Sequence, residues 1–281
     1  MSKRRLVPLA LAVLLAILMV VVKMPQFGIK NDFGFAWGNA LQVAYPEYQI
    51  LHRGNADVER ELFSSTMAVE VDTHTNAAAK LKPRRIMRIS QNIFGDVTFP
   101  GINGTTMTPY LLKFKGGTPA SPGDKEAAEA RAQAVPRDGR FIVLVELASP
   151  MAEGELPVRF EYGEWKRYFL SSVQPKSGKP VYWWPGWGGC TAMVIESPIQ
   201  NCGARHVLDD YREWVRQFTD EDRQGLAEIG LDLQWLRIAA DAGKIYGFID
   251  TVSGRDSLLE LLAMPAVRTV HVVANVPAIN D

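Results

Sequence analysis

Residues 6–22 are apolar throughout, broken only by Pro8, with Lys3, Arg4 and Arg5 before them and Lys23 after them. At 1.5 Å per residue the run is about 25 Å long, and snorkelling by the flanking basic side chains brings it close to a hydrocarbon core of about 30 Å. The apolar residues cover every face rather than one stripe, unlike a half-buried soluble helix. The run exceeds a usual signal-peptide core, and the sequence after Lys23 offers no small-x-small cleavage site. The pattern therefore predicts an uncleaved signal anchor over residues 6–23. The positive-inside rule would leave residues 1–5 in the cytoplasm and the C-terminal domain outside, as a single-pass protein of the cell membrane.

Beyond this run the periodicity alternates between strand and helix signals. Residues 24–115 read as a membrane-proximal, β-rich region. Its opening aromatics, among them Phe33, Phe35, Trp37, Tyr45 and Tyr48, suit either a headgroup layer or packing onto the domain. Within this region a short helix is predicted at 55–63 and strands at 67–71, 93–99 and 110–114. Residues 116–140 form a Gly/Pro/Ser loop and an Ala/Glu-rich helix near 124–135, a candidate boundary between two subdomains. From 141 to 281 an α+β domain is predicted. It opens with the apolar strand 141–147, followed by strands at 158–162 and 167–172. Helices are expected at 208–218 and from Thr219 to about residue 240, then a strand at 244–252, a helix at 257–263 and a strand at 267–276.

This C-terminal half contains an internal echo. Strand 141–148 passes through Ser149-Pro150 and Glu155-Leu156 to strand 158–162, and strand 244–252 passes through Ser253-Gly254 and residues 258–262 to strand 267–276. Two βαβ-like units sharing an antiparallel sheet make a ferredoxin-like arrangement, with 175–240 as a helical and loop insertion. The expected fold class is therefore α+β, a single N-terminal transmembrane helix followed by a mixed extracytoplasmic domain.

The residues that carry the echo also resemble a family. Val143-Leu144-Val145-Glu146-Leu147 closed by Ser149-Pro150, then Gly154-Glu155-Leu156, Gly247-Phe248 and the run Asp256-Ser257-Leu258-Leu259-Glu260-Leu261-Leu262 are similar to the C-terminal domain of bacterial sigma-factor regulators, single-pass anti-sigma proteins. The resemblance covers about half the chain. It implies a role in sigma-factor or envelope-stress signalling through a protein partner. The chain departs from that family at its cytoplasmic end, because five residues cannot form an interface that ordinarily takes about 20–30 residues a side.

Composition then narrows the choices. The 281 residues include 31 basic and 31 acidic side chains, 47% hydrophobic residues and two cysteines, which excludes a disordered, collagenous or disulfide-stapled chain. Residues 1–30 hold Lys3, Arg4, Arg5, Lys23 and Lys30 and no acid, so the remainder carries an acidic excess. Nucleic acid is accordingly excluded as a partner.

Candidate chemistry is sparse. Tyr182, Trp183, Trp184 and Trp187 form the densest aromatic patch; exposed, they would offer stacking faces to carbohydrate, and buried, they would anchor an irregular loop. Outside the cytoplasm Cys190 and Cys202 are expected to form a disulfide, which in the chain-entropy model stabilises by roughly 3 kcal/mol. Glu70, Asp72 and His74 alternate along a strand and share one face, a weak candidate for a cation site beside the plainer reading of a solvated strand face. No nucleophile elbow, phosphate loop, dinucleotide fingerprint or H-E-x-x-H motif occurs, and nothing calls for a cofactor. The sequence thus favours a sensory or interaction domain over an enzyme, with a cell-envelope carbohydrate-binding protein or hydrolase as the alternative.

Overall fold

Apart from Asn39 and Gln42, residues 33–44 are apolar or small on every side, a pattern that suits a helix enclosed by protein on all faces. In the computed structural model, which describes residues 32–51, 58–74, 85–156, 167–174, 177–184 and 207–276, they form α1 (Phe33–Ala44). Every residue of this helix except Phe35 is buried. It packs against both sheets of the protein.

The first sheet is antiparallel and has the order β1-β3-β4-β5, with β2 on the same edge of β3 as β1. Its strands are β1 (Tyr48–Leu51), β2 (Val58–Arg60), β3 (Ser64–Thr73), β4 (Arg85–Asn92) and β5 (Val97–Thr98). Met67 and Val69 of β3 lie opposite Ile89 and Met87 of β4 on the inner face. Gln42 of α1 supports β1 through its side chain, donating to the Tyr48 carbonyl at 3.0 Å and accepting from the Ile50 amide at 2.8 Å. It thus fills hydrogen-bonding positions that a neighbouring strand would otherwise occupy.

Two short helices precede the second sheet. These are α2 (Thr108–Leu112), with Pro109 in its first turn, and α3 (Pro122–Ala134), opened by a capping box between Ser121 and Asp124. The sheet has the order β10-β6-β9-β7-β8, and every neighbouring pair is antiparallel. Its strands are β6 (Arg140–Ala152), β7 (Arg167–Val173), β8 (Pro180–Trp183), β9 (Lys244–Ser253) and β10 (Val267–Val276). Between β8 and β9 come α4 (Val207–Arg216), α5 (Arg223–Glu228) and α6 (Leu233–Ala242), and α7 (Gly254–Ala263) joins β9 to β10. Helix α6 has clear signals at both ends. Asp232 accepts from the Gln234 and Trp235 amides, and Gly243 closes the helix at φ +58°, a left-handed conformation that favours glycine.

The alternation along β6 divides the core. Phe141, Val143, Val145 and Leu147 join the larger cluster, which also holds the buried faces of α1, α3, α4, α6 and α7. Ile142 and Leu144 point to the opposite face, under Met107, Leu111 and Phe114. Gly247 permits that second layer: a Cβ there would lie 2.3 Å from the Val145 carbonyl oxygen and 3.0 Å from the Phe114 ring. On the first face, aromatic rings run from sheet to sheet. Trp183 lies 5.2 Å from Trp214, Trp214 5.2 Å from Phe218, Phe218 5.2 Å from Trp37, and Trp37 5.7 Å from Phe99, between ring centroids.

Several expectations are corrected. The fold is a mixed arrangement of helices and two antiparallel sheets, and among the described residues no helix is long and apolar enough to cross a membrane. The expected anchor at 6–23 and the cytoplasmic tail at 1–5 lie outside the described residues. The absence of such a helix among the described residues overturns the expected transmembrane fold class and single-pass cell-membrane localisation. Of the aromatics of 33–48, Phe33 and Trp37 are buried in α1, and Phe35, Tyr45 and Tyr48, the last on the edge strand β1, are partly buried against the core, so they pack onto the domain. Of the helix expected at 55–63, residues 58–60 are strand β2 and 61–63 a turn, while 55–57 lie outside the described residues, and the strand expected at 110–114 overlaps helix α2. Within 93–99 only Val97–Thr98 is strand, because 92–96 forms a turn. The helix expected from Thr219 to about 240 breaks at Gly230, φ +78°, into α5 and α6. The insertion expected at 175–240 includes β8, a fifth strand of the sheet, and the strand expected at 158–162 lies outside the described residues.

Candidate functional site

Three of the four aromatic candidates lie inside the protein. Trp183 is part of the ring column, whereas Tyr182 and Trp184 face the other layer, with Phe169 beside Tyr182 at 5.9 Å. The guanidinium of Arg167 stands 4.7 Å from the centre of the Trp184 ring. Burial raises the Tyr182 phenol above its ordinary range and lowers Arg167 below its own. None of these three rings offers a stacking face to solvent. Trp187, Cys190 and Cys202 lie outside the described residues.

Glu70, Asp72 and His74 do not assemble a cation site. Glu70 is exposed, Asp72 accepts from the Thr73 amide at 2.8 Å, and His74 is buried with Nε2 2.7 Å from the Pro46 carbonyl oxygen. Among the described residues no group of three His, Cys, Asp or Glu side chains could hold a metal. Burial, aided by the charge of Arg167, pushes the His74 imidazole down to about 3. The folded protein therefore keeps His74 neutral where the unfolded chain would take up a proton near pH 6.5. This contribution to stability is complete above about pH 6.5 and is lost as the pH falls from there towards 3, at about 1.4 kcal/mol per pH unit. Urea unfolding of wild type between pH 7 and 4 is expected to show that extra slope relative to His74→Gln. Parallel curves would refute the assignment.

The structure reveals charged clusters that motifs did not signal. Glu146, in the middle of the apolar strand β6, is 1% exposed. It accepts from Arg268 Nη1 at 3.1 Å and the Lys115 amide at 3.1 Å, and His271 Nε2 lies 2.9 Å from its other oxygen. Arg268 also bonds Asp124, so one guanidinium joins β10 to β6 and to the first turn of α3. A second buried carboxylate, Glu47, meets Lys179 Nζ at 2.7 Å and accepts from the Thr108 hydroxyl at 3.1 Å, which joins α2 to both sheets. In both clusters the charges face one another across elements and brace the interior.

One end of the first sheet is different. The turn after β4 is held by Asn92, whose side-chain oxygen accepts from the Phe94 and Asp96 amides at 2.9 and 3.0 Å. Its side-chain amide bonds the Asp96 carboxylate at 2.9 Å, and the Gln91 amide bonds the Gly95 carbonyl at 3.2 Å. Gly95 adopts φ +90°, which lets the chain turn within this short span. The tightly bonded turn presents Phe94 with 82% of its surface exposed. The neighbouring turn, joined through the Ile93 amide and the Phe63 carbonyl at 3.0 Å, adds Leu62 and Phe63 at 61% and 57% exposure.

A groove of about 230 Å³ opens beside Phe94, between this turn and α5. Gly225 of α5 lines it, and a Cβ there would lie 3.0 Å from the Trp37 ring, so the helix rests directly on the core. The groove thus has one wall from the first sheet and one from the helical segment inserted between β8 and β9 of the second. No protein-family model, curated protein or solved structure matches this chain.

Proposed function

We propose that this protein is an interaction domain, not an enzyme, and that it docks a partner protein on the end of the first sheet formed by Leu62, Phe63 and Phe94. The presentation of Phe94 carries this reading. Exposing a large aromatic to water is unfavourable, and here a network of side-chain and backbone hydrogen bonds holds the turn that exposes it. Ordering a contact loop before binding lowers the entropic cost of association, and aromatic anchors dominate the energetics of interfaces. The resemblance to sigma-factor regulators belongs to the same proposal: the partner would be a component of sigma-factor or envelope-stress signalling. A carbohydrate platform draws no support from Tyr182, Trp183 or Trp184, which are buried.

The double substitution Phe63→Ser with Phe94→Ser tests the proposal. Each side chain is mostly exposed, so stability is expected to change by less than about 1 kcal/mol. Retention of the partner by the tagged full-length protein is expected to fall by at least about tenfold, the effect of losing roughly 1.4 kcal/mol of binding free energy. Undiminished retention by a variant that unfolds at the wild-type temperature would refute the assigned surface.

A further inference from the structure

We infer that the partner segment docking at this end is basic, with Lys or Arg side chains flanking an aromatic or aliphatic anchor; the inference rests on reading the Phe94 end as an interaction surface. The groove beside Phe94 is lined by the carboxylates of Asp96, Glu221, Asp222 and Glu228, and none of its lining residues is basic. The guanidiniums of Arg223 and Arg237, on α5 and α6, both pair with Asp220, at 3.0 and 3.2 Å. Asp96 is bonded by the Asn92 amide, and Asp222 accepts from the Thr219 amide and hydroxyl. Glu221 and Glu228 lie exposed on either side of Gly225 and make no ion pair among the described residues.

An apolar side chain laid on Phe94 would exclude water from the mouth of the groove and strengthen any charge pair within it. The signs of the charges also choose between classes of partner. Four carboxylates beside the apolar turns oppose an anionic membrane surface and any nucleic acid, and they complement a cationic peptide. The two walls come from different parts of the fold and meet at Gly225, where a Cβ would lie 3.0 Å from the Trp37 ring and 3.6 Å from Val97 of the facing wall. The groove is therefore present before the partner arrives.

Phage-displayed random dodecapeptides selected on the full-length protein supply the test. Enriched peptides are expected to combine Lys or Arg with an aromatic or aliphatic residue. A synthetic copy should bind at least tenfold more weakly to Phe94→Ser and to Glu221→Lys with Glu228→Lys, while vesicles of phosphatidylcholine and phosphatidylglycerol should not bind. Glu221→Gln with Glu228→Gln serves as a milder pair, and unfolding temperatures confirm that each variant folds. Binding that depends on Phe94 but ignores both Glu pairs would overturn the basic partner and leave the docking surface standing. Binding that ignores Phe94 as well, or no enrichment, would overturn both. Vesicle binding lost with Phe94→Ser would replace the protein partner by a lipid surface.

Discussion

Replacing Glu146 by Ala is expected to lower the unfolding free energy by about 3–5 kcal/mol, the usual cost of removing one partner from a buried ion pair. The carboxylate is enclosed and stands between Arg268, His271 and the Lys115 amide. Without it the Arg268 guanidinium stays buried with, among the described residues, only Asp124 to bond, and the Lys115 amide loses its acceptor. The loss is therefore dominated by groups left unsatisfied, not by the energy of the pair itself. The companion variant Glu146→Leu with Arg268→Met removes both charges and is expected to recover most of the stability, because well-packed apolar replacements of buried pairs are commonly neutral. Denaturant unfolding of the three proteins distinguishes this account from simple loss of packing, in which the double variant would be worse than the single one.

The second large effect is expected at Trp214. Its ring is fully buried among Trp183, Tyr211 and Phe218, and its indole N–H donates to the Ala36 carbonyl at 2.9 Å. Trp214→Ala should cost about 3–5 kcal/mol, the range for truncating a core aromatic, against a total of about 5–15 kcal/mol for a typical domain. Trp214→Phe keeps much of the buried area but loses the hydrogen bond, and should cost roughly half as much. Because this ring links α4 to α1, the alanine variant should also loosen the groove wall carried by α5. Amide hydrogen exchange would reveal this as lowered protection in 223–228 at temperatures where the second sheet remains protected.

Much of the fold can be read from local pattern. The unbroken apolar run of β6, the Ser121-Pro122 start and Asp124 of α3, and the Asp232 and Gly243 limits of α6 are all local signals with a physical cause. Strand β4 is obscure because its alternation is spoiled twice: Gln91 points inward and Ile86 outward, the latter 69% exposed. Helix α2 is too short to show a helical period, and its apolar residues pass equally well for a strand. The aromatics of α1 suit a membrane surface as readily as a helix wrapped by two sheets, and only tertiary packing decides between them.

The site was less legible than the fold. A carboxylate at position 146 inside an apolar strand does announce a buried partner, since an unpaired charge there would be prohibitive. The partners Arg268 and His271, however, lie on a strand whose register with β6 is irregular, shifting at Val267/Thr269. Phe94 is hidden by its apolar neighbours, which read as one strand through 93–99. The signal that could have exposed it is turn chemistry, Asn92 followed by Gly95-Asp96, which places Phe94 at the tip of a turn rather than in a ladder.

On the reading proposed above, the end of the first sheet carrying Phe63 and Phe94 receives a partner. Site-specific incorporation of a photo-crosslinking phenylalanine at position 94, with position 86 as the control, tests it most directly. Ile86 is also exposed and apolar but lies near the opposite end of β4, about 20 Å away at 3.4 Å per residue. In the cells that express the protein, irradiation is expected to yield a discrete protein adduct from position 94 and none from position 86. Adducts from position 86 alone, or none from position 94, would contradict the account.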